Sequence, residues 1–212
     1  MAPPDPAAAS DPATLAFYAR EAPVYVASGK GGVSRWLHDF AQALPAGARI
    51  LELGCGGGRD AEAFHALGFD IHASDGAPAM AAKAAERLGR PVRVMRFDEL
   101  DETAAYDAVW ANASLLHVPR DALAAVLARV FAALKPGGLH FANYKAGGTA
   151  GRDRLGRYYN YPDRETLTAI YAEAAPWHIL SMLDYTGGGY EGGEGPWLAI
   201  TAQKPQQQGS GA

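Results

Sequence analysis

Apolar positions recur along this chain in two patterns that alternate. Tyr18, Ala22 and Tyr25 lie at spacings of four and three, and Val33, Trp36, Leu37, Phe40 and Leu44 form a second stripe. Both spacings put side chains on one face of a helix, so helices are predicted over about 13–27 and 33–44. Short apolar runs follow at Arg49–Leu53, Phe69–Ala73 (closing at Asp75), Val92–Phe97, Tyr106–Ala111 and Leu139–Tyr144, and these read as strands. Helical stretches separate them at Arg59–Leu67, Ala77–Leu88 and Pro119–Leu134, stopped by Gly68, Gly89 and Lys135-Pro-Gly-Gly138. A helix near 163–173 precedes two last strands, 177–185 and 197–203, joined only by the glycine-rich stretch Gly187–Gly195.

Strands alternating with helices imply right-handed crossovers and a mostly parallel α/β sheet with helices on both faces. The last two strands lack a crossover helix, so they should pair antiparallel. One domain is expected over 13–203, with 13–47 as an N-terminal helical cap. Residues 1–12, with four prolines, and 204–212 read as disordered tails.

Composition narrows the classes. Of 212 residues 49% are apolar, enough for a substantial core, and the formal net charge is −4. An acidic chain speaks against a general nucleic-acid binder. A lone cysteine, Cys55, makes no intrachain disulfide. The first residues have neither the basic nor the apolar region of a signal peptide, and no apolar run is long enough to span a bilayer, so a cytoplasmic protein without membrane partners is expected. The histidines at 38, 65, 72, 117, 140 and 178 show no ligand spacing with carboxylates, so no metal site is expected.

Glycine, 25 residues in all, is clustered, and one cluster sits at the first strand-to-helix turn, Leu51-Glu-Leu-Gly-Cys-Gly-Gly-Gly-Arg59. Backbone N–H groups at such a turn can meet a cofactor closely. A phosphate-binding loop would need Lys followed by Ser or Thr where Arg59 and Asp60 stand. A dinucleotide fingerprint would need a third glycine at 59. What remains is Glu52-x-Gly54-x-Gly56-x-Gly58, whose acidic edge suits a ligand with a cationic amino-acid part. Asp75 ends the second strand at the distance where an acid can accept from both ribose hydroxyls, and a helix N-cap is its competing use. Asp98, closing the third strand, is placed to accept from an adenine amino group or to be a surface acid.

With these residues and Tyr106-Asp-Ala-Val-Trp-Ala-Asn112 and Leu134-Lys-Pro-Gly-Gly138, the chain resembles the class I S-adenosylmethionine-dependent methyltransferases over about 15–203. Ala113-Ser-Leu-Leu-His-Val-Pro119 resembles the small-molecule branch that includes tellurite-resistance-like methyltransferases. The resemblance implies a seven-stranded Rossmann-like sheet with an antiparallel last strand and S-adenosylmethionine as cofactor. It implies a cofactor site of Glu52, Gly54, Cys55, Gly56, Asp75, Gly76, Phe97, Asp98 and Ala111. Gly54 and Gly56 would run under the methionyl part, Phe97 and Asp98 flank the adenine, and Ala111 lie beside the methyl. Asn112 stands where some relatives carry a catalytic acid or amide, although no aromatic follows at the spacing used for DNA-base or protein-amide methylation.

His117, at the mouth of the fourth strand, is the candidate general base on the strength of an ordinary histidine pKa. The loop 147–162 carries Arg154 and Tyr158, the glycine loop carries Tyr190, and the first helix carries Tyr18 and Tyr25. The two loops leave the end of the sheet where ligands sit and the first helix is expected over the same mouth, and together they predict a lid over an anionic or aromatic small-molecule acceptor. The chain would act as a monomer or homodimer. Competing readings are a non-catalytic module that binds the cofactor and an oxidoreductase using a nucleotide cofactor.

Overall fold

The computed structural model describes residues 9–29 and 32–206. Strands β1 (Arg49–Leu53), β2 (Asp70–Asp75), β3 (Arg93–Val94), β4 (Tyr106–Ala111), β5 (Leu134–Lys145), β8 (His178–Gly188) and β9 (Glu194–Gln203) form one sheet in the order β3-β2-β1-β4-β5-β9-β8. The first five run parallel, and β9 is antiparallel to both β5 and β8. The fold is thus the expected seven-stranded mixed sheet. Helices α1 (Pro12–Ala27), α2 (Leu37–Gln42), α3 (Arg59–Ala66), α4 (Pro78–Leu88), α5 (Leu123–Ala133) and α6 (Arg164–Ala174) complete it.

Alternation along the strands makes two cores. Ala108 and Trp110 of β4 point to one face, where Trp110 stacks on Phe141 at 4.2 Å and meets Phe40 and Phe64. Val109 and Ala111 point to the other, with Leu123, Leu127 and Val130 of α5. The same period of two carries Glu52 to the side of Ile50, opposite Leu51 and Leu53. β1 lies between β2 and β4, so a crevice opens at its carboxyl end, where consecutive crossovers leave in opposite directions.

Several boundaries differ from the sequence reading. The second helix is only six residues, because Ser34 donates its N–H to Asp60 and the 33–36 segment becomes a turn. β3 is two residues, not six: Arg96 then donates to Asp98 and Glu99, and the chain turns into a 3-10 segment at Phe97–Glu99. The helix expected from Pro119 begins at Leu123 after a 3-10 turn at Arg120–Ala122. Lys135-Pro-Gly-Gly138 belongs to the irregular start of β5, and the glycine stretch mostly extends the β8–β9 hairpin, with Gly187 opposite Gly195. The loop 147–162 contains a small hairpin, β6 (Gly151–Arg152) with β7 (Tyr158–Tyr159).

Residues 9–12 depart from the disordered lead they were expected to join. Asp11 is buried and caps α1, accepting from Thr14 N at 2.7 Å, and Arg152 donates to both of its oxygens at 2.9 and 2.6 Å. These bonds to the carboxylate hold Asp11 down at about 2 against the opposing effect of burial. Residues 204–206 are placed as well, with Lys204 bonded to the carbonyls of Phe131 and Leu134. Residues 1–8 and 207–212 of the expected tails lie outside the described residues.

Asp11→Ala removes a cap and leaves Arg152 with the Gly156 carbonyl but no carboxylate. We expect it to lower unfolding free energy by about 1–2 kcal/mol. In urea titration an unchanged midpoint would show that the first residues add nothing to the fold. Because its folded pKa is depressed, the Asp11 contribution is present above the ordinary carboxylate range and is lost as pH falls toward about 2.

Candidate active site

Two cavities meet at the carboxyl end of the sheet. The first, of about 220 Å³, lies over the glycine turn, beneath α1. Gly54 has φ +72°, and a Cβ there would come within 2.6 Å of Ser114 Cβ, so both backbone and space demand glycine. Gly58, at φ +76°, lets the turn pack on Ala84 of α4. It thus serves the close helix contact that a dinucleotide fold gives to the residue after it. Asp75 holds the turn from the next strand: Gly56 N and Ala77 N donate to its two oxygens, each at 2.9 Å.

The floor of this cavity is acidic. Glu52, Asp60 and Asp75 line it, as does the capping Asp11, against Arg59 and Arg96. Glu52 Oε2 is buried without a hydrogen-bond partner. Burial, and then the nearby charges of Asp60 and Asp75, push the Glu52 carboxyl well up. Burial pushes Asp75 up to about 6 despite its two backbone donors. Ser114 Oγ is a second orphaned group on this wall. Cys55 lies in the turn, and burial, with Glu52 and Asp75 beside it, pushes its thiol up, so the helix start yields no thiolate.

The second cavity, of about 400 Å³, lies beyond a partition shared by both. Tyr18, Tyr25, Asn112, Ala113 and His117 line the two cavities together. Asn112 donates to Asp60 at 3.0 Å and accepts from Asn143 at 2.8 Å, while Ala113 N donates to Asn143 Oδ1. Ala113 is held at φ +52°, a strained conformation for a residue with a Cβ.

His117 has both nitrogens engaged. Nδ1 lies 2.6 Å from the Tyr158 carbonyl oxygen, which can only accept, so Nδ1 carries the proton. Nε2, 2.9 Å from Tyr18 Oη, accepts the tyrosine proton, and Tyr18 Oη accepts in turn from Arg157 at 3.2 Å. Burial pushes the imidazole down to about 4. The expected general base near neutrality is therefore a neutral, hydrogen-bonded wall.

Of the residues chosen from sequence, Glu52, Gly54, Cys55, Gly56, Asp75, Gly76 and Phe97 gather in the first cavity. Tyr190 lies in the second, against Tyr25 at 4.7 Å. Four candidates fall outside both cavities. Ala111 points into the core beside α5, as strand alternation requires. Asp98 turns both oxygens to Arg96, and Arg96 lines the cavity in its place. Arg154 is exposed and pairs with Glu191 at 2.8 Å. The Tyr158 side chain turns to Arg120 N at 3.2 Å, and only its carbonyl serves the site, through His117.

The structure adds Asp60, Asn143, Lys145, Arg157 and Tyr159. In the β6–β7 hairpin Arg157 and Tyr159 are two apart and share the inward face, so recognising the turn at Gly156 would have selected them over Arg154 and Tyr158. Lys145 closes an apolar strand at its carboxyl end, a legible signal passed over.

Residues 50–138 match the methyltransferase domain family. Over that segment the chain is similar to methyltransferase domains, and its fold is shared with solved S-adenosylmethionine-dependent methyltransferases. It is 36% identical over 108 residues to a ubiquinone biosynthesis O-methyltransferase of Xanthomonas axonopodis pv. citri, covering 48% of this chain and 44% of that enzyme. The chain thus spans less than half the length of that curated relative. Among solved structures, a SAM-dependent methyltransferase of Methanosarcina mazei aligns with TM-score 0.70 and 15% identity over 83% of this chain and all of that one. The 1,6-didemethyltoxoflavin-N1-methyltransferase of Burkholderia thailandensis, solved with 1,6-didemethyltoxoflavin and S-adenosylhomocysteine, aligns with TM-score 0.66 and 24% identity over 90% and 88% of the two chains. These likenesses support the methyltransferase class and not the narrower tellurite-resistance-like branch.

The family cofactor, S-adenosylmethionine, suits the first cavity: the orphaned Glu52 oxygen calls for a cation, and Asp75 retains a lone pair on each oxygen for hydroxyl donors.

His117 should remain the neutral Nδ1–H tautomer down to about pH 4. Nitrogen-15 NMR of the imidazoles, with His117→Gln for assignment, checks this. A His117 titration near the ordinary histidine value would remove the buried relay.

Proposed function

We propose that this chain transfers a methyl group from S-adenosylmethionine to a small-molecule acceptor. The observation that carries this reading is the pair of cavities with a common partition of Tyr18, Tyr25, Asn112, Ala113 and His117. A donor chamber and a separate acceptor chamber in contact are what a direct displacement requires. When bound, S-adenosylmethionine supplies an electrophilic methyl on a sulfonium that leaves as a neutral thioether.

In this reading the protein aligns the reactants and excludes water. Glu52 faces the cationic part of the donor, Gly54 and Gly56 give it close backbone approach, and Asp75 accepts from the sugar. Tyr18 and His117, fixed by each other, position the acceptor from the partition and move no proton. The chamber of about 400 Å³ favours a small acceptor over a duplex base or a folded protein surface. A non-catalytic cofactor-binding module would have no use for that chamber. The acidic floor of the first cavity weighs against a diphosphate cofactor, and so against the oxidoreductase reading.

A labelled-donor acceptor screen read by mass spectrometry tests the activity. Binding of S-adenosylhomocysteine, followed by calorimetry, tests the site. Hydroxyl donors on Asp75 and an ammonium beside Glu52 favour the ionised carboxylates, so binding releases protons. The Asp75 part of this dependence should appear as affinity rising while pH climbs through about 6. Asp75→Ala should weaken binding by about 1–3 kcal/mol at neutral pH. Unchanged affinity in that variant would remove Asp75 from the sugar site.

A further inference from the structure

The walls of the second cavity differ in charge from those of the first. Among the described residues no Asp or Glu lines the second cavity, while the cations Arg35, Lys145 and Arg157 do. Aromatic faces surround them: Trp36, Tyr159, Tyr185, Tyr190 and Trp197. Arg157 is already answered, by Asp153 at 2.7 Å. Arg35 lies over Tyr185, 5.1 Å from the ring centroid, on the exposed side.

Lys145 is the cation left over. Its Nζ sits 4.3 Å above the Tyr159 ring and has no hydrogen-bonded or ion-paired partner among the described residues. The carboxylates that act on it from neighbouring elements, Asp153 and Glu191, are engaged by Arg157 and Arg154. Gly189 leaves room for it, since a Cβ there would stand 3.0 Å from Nζ. A half-buried ammonium with only a ring beneath it, at the end of the strand next to β4, is poised for an anion from the cavity side.

Resting on the methyl-transfer reading above, we propose that the second cavity takes a planar aromatic acceptor carrying negative charge, and that Lys145 selects for that charge. Such an acceptor brings the electron pair that forms the new bond to carbon. The carbon–sulfur bond breaks with its pair left on sulfur, and no proton remains to be removed. This agrees with a partition whose imidazole is neutral and engaged at both nitrogens.

The test uses the full chain loaded with S-adenosylhomocysteine and three probes of one shape: 2-naphthoate, 2-naphthamide and 2-naphthylmethylammonium. Calorimetry should show naphthoate binding at least about tenfold more tightly than the amide, with the ammonium weakest. Lys145→Met should reduce the carboxylate-over-amide preference to within about threefold while amide and S-adenosylhomocysteine affinities hold. Lys145→Arg should keep the preference. Equal binding of amide and carboxylate, a preference that survives Lys145→Met, or no binding by any probe overturns the proposal. Failure of S-adenosylhomocysteine to bind would instead overturn the donor reading, and the same probe series on the unloaded chain would still decide the charge preference.

Discussion

The site depends on one buried carboxylate. Asp60, in the first turn of α3, accepts from Ser34 N at 2.8 Å, Trp110 Nε1 at 2.9 Å and Asn112 Nδ2 at 3.0 Å. Hydrogen bonds to a buried charge are worth about 1.5–3 kcal/mol each and are costly to leave unmade. Three such bonds therefore fix three parts of the chain to one point: the 33–36 turn, the Trp110 core and the end of β4. Asn112, so anchored, presents its carbonyl to Asn143, and Asn143 in turn fixes the strained Ala113. The partition between the cavities follows from this sequence of bonds and not from packing alone.

On either side of that partition the electrostatics differ. The first cavity has carboxylates that burial has raised, Glu52 and Asp75, and a cationic ligand with hydroxyl donors would satisfy them. The second cavity has cations on an aromatic lining. Each chamber disfavours the other's ligand, since like charges brought together in a low dielectric cost more than in water. The roof joins segments far apart in the chain. Arg152 pairs with Asp11 and Arg154 with Glu191, each arginine reaching from solvent to a more covered carboxylate, and the first pair links the hairpin to the start of α1.

Most of the sheet was legible because its signals are local. Apolar runs of strand length, glycine stops and the crossover rhythm need no knowledge of the rest of the fold. Gly54, Gly56 and Asp75 were legible for the same reason, being fixed by the turn and by the strand beside it. The errors arose where distant residues meet. Asp11 reads as part of a proline-rich lead until Arg152, 141 residues away, is seen to grip it. Asp98 and Arg154 were chosen by charge, and nearby ions had already claimed them. Ala111 was misplaced by one step of a period-two alternation, an error the sequence itself could have prevented.

The relay on the partition has one hydrogen-bond direction throughout. Arg157 donates to Tyr18, Tyr18 to His117, and His117 to the Tyr158 carbonyl, so every hydrogen bond points the same way. For His117 to accept a proton from a substrate, Nε2 would have to give up Tyr18 and the ring would have to hold a charge that burial disfavours. Tyr18 is no better base, because burial pushes its hydroxyl well up and keeps it protonated. The relay is therefore a rigid surface with fixed polarity. Under the proposed methyl transfer such a surface can hold reactants in line but supplies no base.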